Sequence, residues 1–372
     1  MHATSVRRAV IGLAAATAFS FSGVALAENT KLNFASPLPA NHAVNQGIEA
    51  WLKDLAKASN GEISYEWYPG EVVAKNKQAM ASVRDGIVDA SYVIDSYTSS
   101  ELPNQITASK NGGFGADAMV MTGAANEYML LNCKQCRQDW RKNGVIALVH
   151  ASTTHYNLAC RENLNSAEKL AGRKIRAAGS FGLVTKEFGG VPVNIPITDT
   201  YEALQRGQAD CTFAAEAHLK GYSFNEVVKY MITAPFGVYM SGTPFLVNAD
   251  KWEALPDAHK KLIQSKLPDL AVGITERYIE ETKVARKDSE AKGVKWVEPE
   301  QSLIDARQRY LKKLVDLAVT EGEKRRLTGV REMMETFQPI HEKWKKIVAD
   351  IGHDPDKFRE ALDREIFSKA TY

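Results

Sequence analysis

The sequence predicts an α/β protein built as two lobes, and three features of its order carry that prediction. Short apolar, strand-like segments alternate with helical spacing before residue 100, and the alternation resumes between Tyr156 and Ala214 after a pause. From Pro256 onward the alternation gives way to long, charged helical stretches. Alternating strands and helices cover a mostly parallel sheet with helices, and two such runs divided by a break make two sheets.

Lys31 to Ala35 reads as a strand with Leu32 and Phe34 on one face. The loop Ser36-Pro37-Leu38-Pro39-Ala40-Asn41 follows, its two prolines blocking regular structure. Val44, Ile48, Trp51, Leu52 and Leu55 then recur at helical spacing until Asn60-Gly61 ends the helix. Ile63 to Trp67 alternates like a strand, Lys75 to Asp85 reads as helix, and Val88 to Ile94 reads as a buried strand. After Gly112-Gly113-Phe114-Gly115, a helix is expected over Ala124 to Lys142 and a strand over Val145 to His150.

The second run begins with a strand at Tyr156 to Cys160 and a helical turn at Ser166 to Leu170. Strands at Lys174 to Ala177, Val191 to Ile195 and Ala209 to Ala214 alternate with helices at Phe181 to Phe188 and Tyr201 to Arg206. Leu262, Ile263, Leu267, Leu270, Ile274, Tyr278 and Ile279 mark a long helix, and more helix runs to Phe367. Breaks fall at Gly293–Glu300 and Gly352-His353-Asp354-Pro355. This C-terminal part is expected to pack, with no site of its own.

The N-terminus has the three parts of a secretory signal: Arg7 and Arg8, the apolar or small-residue run Ala9 to Val24, and Ala25-Leu26-Ala27. Residues 1–27 are therefore expected to be cleaved and the chain to work outside the cytoplasmic membrane. A retained anchor is the weaker alternative, because the run is only weakly apolar and charged sequence follows at once. Removing 27 of the 372 residues takes away two Arg and no acid, which balances the 47 Lys and Arg against the 45 Asp and Glu. That balance argues against a nucleic-acid partner, which needs a basic surplus. No later apolar run is long enough for direct membrane insertion.

Cys133, Cys136, Cys160 and Cys211 are an even set suited to disulfides in an oxidising compartment. They allow three pairings, of which proximity favours Cys133 with Cys136 and Cys160 with Cys211. A thioredoxin-like redox pair at Cys133-Lys134-Gln135-Cys136 would need a strand before it and a helix N-terminus at the first thiol. Here Ala125 to Asn132 reads as helix already under way.

G-x-S-x-G, H-E-x-x-H, P-loop and G-x-G-x-x-G signatures do not occur, so neither an enzyme nor a cofactor is expected. No metal-ligand cluster has suitable spacing, although a cation held by carbonyl oxygens would leave no mark in sequence. The most informative run is Leu170-Ala171-Gly172-Arg173-Lys174-Ile175-Arg176-Ala177-Ala178-Gly179. Strand alternation sets Arg176 opposite Ile175, near the strand's end and just before a helix start. An Arg there suits a ligand carboxylate, which it meets with two parallel hydrogen bonds beside the helix N-terminus.

Downstream stand Gly189-Gly190-Val191-Pro192-Val193 and Tyr201-Glu202-Ala203-Leu204-Gln205-Arg206-Gly207-Gln208-Ala209-Asp210. In the first run stand Asn60-Gly61-Glu62-Ile63, Tyr68-Pro69-Gly70 and Arg84-Asp85-Gly86-Ile87-Val88-Asp89. In order and spacing these marks, with Lys229-Tyr230 and Gly293-Val294, resemble the solute-binding proteins of TRAP (tripartite ATP-independent periplasmic) transporters. The resemblance covers essentially the whole mature chain. It implies a two-lobed periplasmic solute-binding protein fold with a long bracing helix and C-terminal helices. Residues 28–150 would begin lobe I and 151–240 form lobe II. Residues 241–372 would return to lobe I through a hinge-spanning helix. The implied function is capture of a small organic acid and its delivery to the TRAP permease membrane subunits. An exported α/β enzyme acting on a small acid and a sensory ligand-binding module are the alternatives.

Arg176 matches the family's carboxylate-binding Arg. Where many members carry another Arg, this chain offers His155 or Tyr156, and where many carry a polar amide it has Ala214 beside Phe213. Fewer polar partners and more aromatic surface predict a monocarboxylate with an apolar or aromatic body. Further candidate contacts are Ser36, His42, Tyr97, Phe181, Phe236 and Tyr239, with Glu216 a weaker one that would favour an amine.

Overall fold

Eleven strands form two sheets among the described residues of the computed structural model, which are 29–240 and 242–372; the expected signal peptide lies outside them. In chain order the strands are β1 (Thr30–Ser36), β2 (Ile63–Pro69), β3 (Ala90–Ile94), β4 (Val145–Ala151), β5 (Asn157–Cys160) and β6 (Lys174–Arg176). They continue as β7 (Val191–Val193), β8 (Cys211–Ala214), β9 (Tyr230–Ile232), β10 (Gly242–Asn248) and β11 (Lys295–Val297).

The first sheet has the order β2-β1-β3-β10-β4. β1 runs parallel to both β2 and β3, as helical crossovers require, whereas β10 is antiparallel to β3 and β4. All of β3 and β4 is buried because helices cover the sheet. β10 was not expected from sequence: Pro244 argues against a central strand. The ladder accommodates it by shifting register between Thr243 and Leu246.

The second sheet has the order β11-β9-β5-β8-β6-β7. Its strands β9 and β11 were also missed: both lie beyond the alternating run of strands and helices that marked the equally short β6 and β7. The segment 241–372, expected to return to the first lobe, contributes to both sheets: β10 joins the first and β11 the second. The helix Gln301–Lys324 likewise sets Leu303, Ala306, Tyr310 and Leu314 in the second sheet's core.

The long helix Asp257–Ala291 has 35 residues and spans both parts. It packs on the helix Ala43–Ala58 and β4 on one side and on the short helix Ala217–Gly221 on the other. Close approach depends on Gly47, where an added Cβ would lie 2.8 Å from Ile274 Cγ1.

The single helix expected over Ala124 to Lys142 is two. A helix Ala118–Asn126 widens into π turns over Glu127–Asn132, and a second helix, Lys134–Lys142, begins after Cys133. Cys133 caps it, its Sγ accepting from the Cys136 amide at 3.2 Å. Both favoured disulfides, Cys133–Cys136 and Cys160–Cys211, are formed. Cys133 does stand at a helix N-terminus, contrary to the sequence reading, but burial of both sulfurs withholds them from thiol exchange.

Candidate functional site

A cavity of about 410 Å³ including its mouth lies between the two sheets. The first lobe contributes His42 from the start of the helix Ala43–Ala58, Tyr92 and Ile94 from β3, and Tyr97 just beyond that strand. The second contributes Tyr156, Arg176, Ala178, Phe181, Ile197, His218 and Tyr222. Thr153 and Tyr239 come from the connecting segments, and Tyr278 from the long helix.

Arg176 ends β6, and pairing of β6 with β7 and β8 holds its backbone. Its side chain is buried. Nε donates to the Ile195 carbonyl at 2.9 Å and Nη2 to the Tyr97 hydroxyl at 2.8 Å, so neither partner carries charge. No Asp or Glu of the described residues lines the cavity. A buried cation without a counter-charge is costly, so the arrangement favours an incoming anion.

Burial keeps both imidazoles of the lining and four of its phenols neutral near pH 7. Burial pushes the His42 imidazole down to about 3 and holds His218 well below its usual range, with the nearby His42 and Arg176 acting in the same direction. Burial also raises the phenols of Tyr92, Tyr222, Tyr239 and Tyr278 well above theirs. Arg176 is thus the one formal charge in the described lining.

Aromatic rings form the wall beside it. Tyr156 and Phe181 stack with centroids 4.8 Å apart and planes within 3°. Phe213 stacks behind Phe181 at 4.8 Å, and Phe236 meets Phe213 edge-on at 5.3 Å. Flat walls of this kind suit a flat apolar body.

The lobes are drawn together. Tyr97 also accepts from the Ile197 amide at 2.8 Å, Ser96 Oγ pairs with the Tyr239 hydroxyl at 2.7 Å, and Asn76 Nδ2 donates to Thr198 Oγ1 at 3.2 Å.

Of the residues expected from sequence, Arg176, Tyr156, His42, Tyr97, Phe181 and Tyr239 line the cavity. Ser36, His155, Phe213, Phe236 and Glu216 do not. Ser36 Oγ accepts from the Leu38 amide at 3.3 Å and caps the proline loop. His155 is half-buried outside the lining, since the neighbouring Tyr156 takes the inward position. Phe213 supports Phe181 from behind, and Phe236 in turn packs against Phe213.

Glu216 accepts from Trp296 Nε1 at 3.1 Å and lies 3.8 Å from Arg286 Nη1, whose guanidinium sits 5.1 Å over the Trp296 ring. It joins the long helix to β11, so it offers the cavity no site for an amine. Sequence reasoning missed Tyr92, Ile94, Thr153, Ala178, Ile197, His218, Tyr222 and Tyr278. His218 and Tyr222 follow the carboxyl end of β8, where α/β folds hold their ligands, and that placement was the available signal. Tyr278 lies in the stretch expected only to pack, and its helical spacing matches core residues.

The family model described as bacterial extracellular solute-binding protein, family 7, matches residues 34–321. Among curated relatives, the C4-dicarboxylate-binding periplasmic protein DctP of Rhodobacter capsulatus is 24% identical over 299 residues, covering 76% of this chain and 86% of its own. Among solved structures, a marine metagenome TRAP solute binding protein specific for aromatic acid ligands, in complex with metahydroxyphenylacetate, has a TM-score of 0.76. It is 22% identical, over 85% of this chain and 99% of that one. A TRAP solute binding protein from Rhodoferax ferrireducens T118, in complex with copurified benzoate, has a TM-score of 0.75 at 19% identity, over 86% of this chain and 100% of that one. At these identities the structural likeness shows the fold.

Proposed function

This chain belongs to the bacterial extracellular solute-binding proteins of family 7, and from that membership we propose that it captures a small monocarboxylate with an aromatic or apolar body. As a TRAP receptor it delivers a small organic acid to the membrane permease subunits. The observation that carries the proposed ligand class is Arg176, a buried guanidinium with uncharged partners in a cavity walled by stacked rings. The carboxylate would take Arg176, and Tyr156, backed by Phe181, would hold the body, with His42, Tyr97 and Tyr239 closing around it. The complexes of structural neighbours with benzoate and metahydroxyphenylacetate support the same class.

The Rhodobacter relative's name favours a C4-dicarboxylate instead. A second carboxylate would find no second cation in the described lining, and burying it unpaired would cost several kcal/mol, in the range of about 3–5. Capture would proceed by closure of the two lobes over a ligand that binds the closed form better. The boundaries proposed for those lobes are 28–150 and 151–240, with the later segment crossing between them.

Calorimetry and thermal shift with benzoate, phenylacetate, succinate and malate test the ligand class. Stoichiometric heat and stabilisation with the aromatic acids, without turnover, is the expected result; tight binding of succinate or malate alone would overturn it. The cleaved signal and periplasmic address are tested by N-terminal sequencing of protein released from the periplasm, which should begin at Glu28.

A further inference from the structure

A second crevice, of about 460 Å³ including its mouth, lies on the seam between the lobes and shares no lining residue with the ligand cavity. Glu71 and Asn76, in the segment after β2, line its first-lobe side. Thr198 and Asp199 line the other side, from the turn Ile197–Asp199. Ile197, in that same turn, lines the ligand cavity, so the turn has one face in each.

Glu71 is held in the left-handed region at φ 62°, where a side chain with a Cβ is strained. Such a conformation persists only where the surroundings over-determine it. Its own carboxylate does so here: Glu71 Oε1 accepts from the Asn76 amide at 3.1 Å and from Asn76 Nδ2 at 3.0 Å. That fixes the Asn76 side chain, 1% exposed, with its other Nδ2 proton directed across the seam to Thr198 Oγ1 at 3.2 Å. The Thr198 hydroxyl has Glu71 Oε1 at 3.4 Å and Asp199 Oδ1 at 3.5 Å as its own acceptors. From inside, the Ile197 amide donates to the Tyr97 hydroxyl at 2.8 Å, so the turn is tied to the first lobe on both faces.

We infer that Glu71 is a positioning residue for capture: it presents Asn76 to Thr198 as a latch made only in the closed form, and so sets how long a bound solute is retained. A contact absent from the open form slows opening, through which the solute leaves, without altering entry into the open cleft. The latch reaches the cavity only through the turn, so it acts on every bound acid alike.

Native-state hydrogen exchange on the ligand-free mature protein tests this. The Ile197 amide is sheltered across the seam, and its exchange follows the population of the open form. Glu71→Gly frees the left-handed backbone but deletes the carboxylate, which separates a latch from a residue that only shapes the loop. In Glu71→Gly and in Thr198→Val the Ile197 amide should exchange about tenfold or more faster, the worth of one charge-assisted hydrogen bond. Amides of β1 and β8 should keep their protection and so report folded lobes. Glu71→Gln, which leaves a neutral oxygen in place, should recover part of the protection, and the double variant should exchange about as fast as either single one, since both break one latch. Unchanged exchange in both single variants, or acceleration in Thr198→Val alone, would overturn the role of Glu71. With benzoate as the probe, stopped flow should show dissociation faster by the same factor and association within about twofold; the reverse pattern would also overturn it. If benzoate does not bind, the ligand class falls and hydrogen exchange still decides the latch.

Discussion

Arg176 Nη2 donates to the Tyr97 hydroxyl at 2.8 Å, joining the end of β6 in the second lobe to the segment just past β3 in the first. The same hydroxyl accepts from the Ile197 amide at 2.8 Å. One phenol therefore orients the charged group of the cavity and ties the lobes together, so the proposed carboxylate contact and the contact between the lobes share an atom.

Replacing Arg176 with Ala removes the only formal charge of the described lining. Loss of a buried charge partner costs about 2–5 kcal/mol, so Kd for the aromatic acid should rise roughly 30- to 5,000-fold. The ligand-free variant should melt close to the parent, because release of a buried, unpaired charge offsets the two hydrogen bonds lost with it. Thermal melting with and without ligand checks both outcomes.

Tyr97→Phe keeps the ring and deletes the shared acceptor. A hydrogen bond to a charged group contributes about 1.5–3 kcal/mol, part of it to closure. The ligand-free variant should populate the open form more, with a larger radius of gyration in small-angle scattering and roughly tenfold or more weaker binding. An unchanged radius and affinity would separate Tyr97 from closure.

The two disulfides should differ in worth. Cys160–Cys211 ties β5 to β8 and closes a loop with a separation of 51, against a separation of three for Cys133–Cys136. Loop-closure entropy assigns the longer bridge about 4 kcal/mol. Cys160→Ala with Cys211→Ala should thus lower the urea midpoint much more than Cys133→Ala with Cys136→Ala. Equal losses would point to native packing as the source.

Acid should unfold the protein through its buried imidazoles. Burial lowers His42 and His150 to about 3 and His218 well below its usual range, against an unfolded value near 6.5. Folded values below unfolded ones mean that stability is full above about pH 6.5 and is lost as pH falls towards about 3. Each histidine contributes up to about 1.4 kcal/mol per pH unit. Asp95, whose carboxyl burial raises well above its usual range, acts in the opposite sense, but three imidazoles outnumber it. Urea unfolding at pH 7.5 and 5 should show a lower midpoint at pH 5, and a flat profile would contradict neutral burial.

The brace depends on a small residue. At Gly47 a Cβ would meet Ile274 Cγ1 at 2.8 Å and the Ile274 backbone at 3.3 Å. Gly47→Val should cost about 1–3 kcal/mol by overpacking, read as a lower melting temperature. Gly47→Ala should cost less, since alanine's better helix propensity offsets part of the clash.

Periodicity made the first helix, the β1–β2–β3 unit and the long helix legible, because each buries one repeating face over enough residues to leave a pattern. It could not reveal β9 and β11, which lie beyond the alternating run that marked the equally short β6 and β7, or β10, whose Pro244 is tolerated only where the register shifts. Arg176 was legible because a strand end before a helix start is a local feature with a definite chemistry. Ser36, Phe213 and Phe236 were misplaced because polar or aromatic type does not say which side of a wall a side chain occupies.

By itself, then, the sequence determined the α/β class, the family and the place of Arg176 at a strand end before a helix, all properties of local order along the chain. Only the tertiary structure decided which rings surround that Arg. Tyr92, Tyr278, His42 and His218 come from separate elements, and they meet only where two sheets and a bracing helix converge.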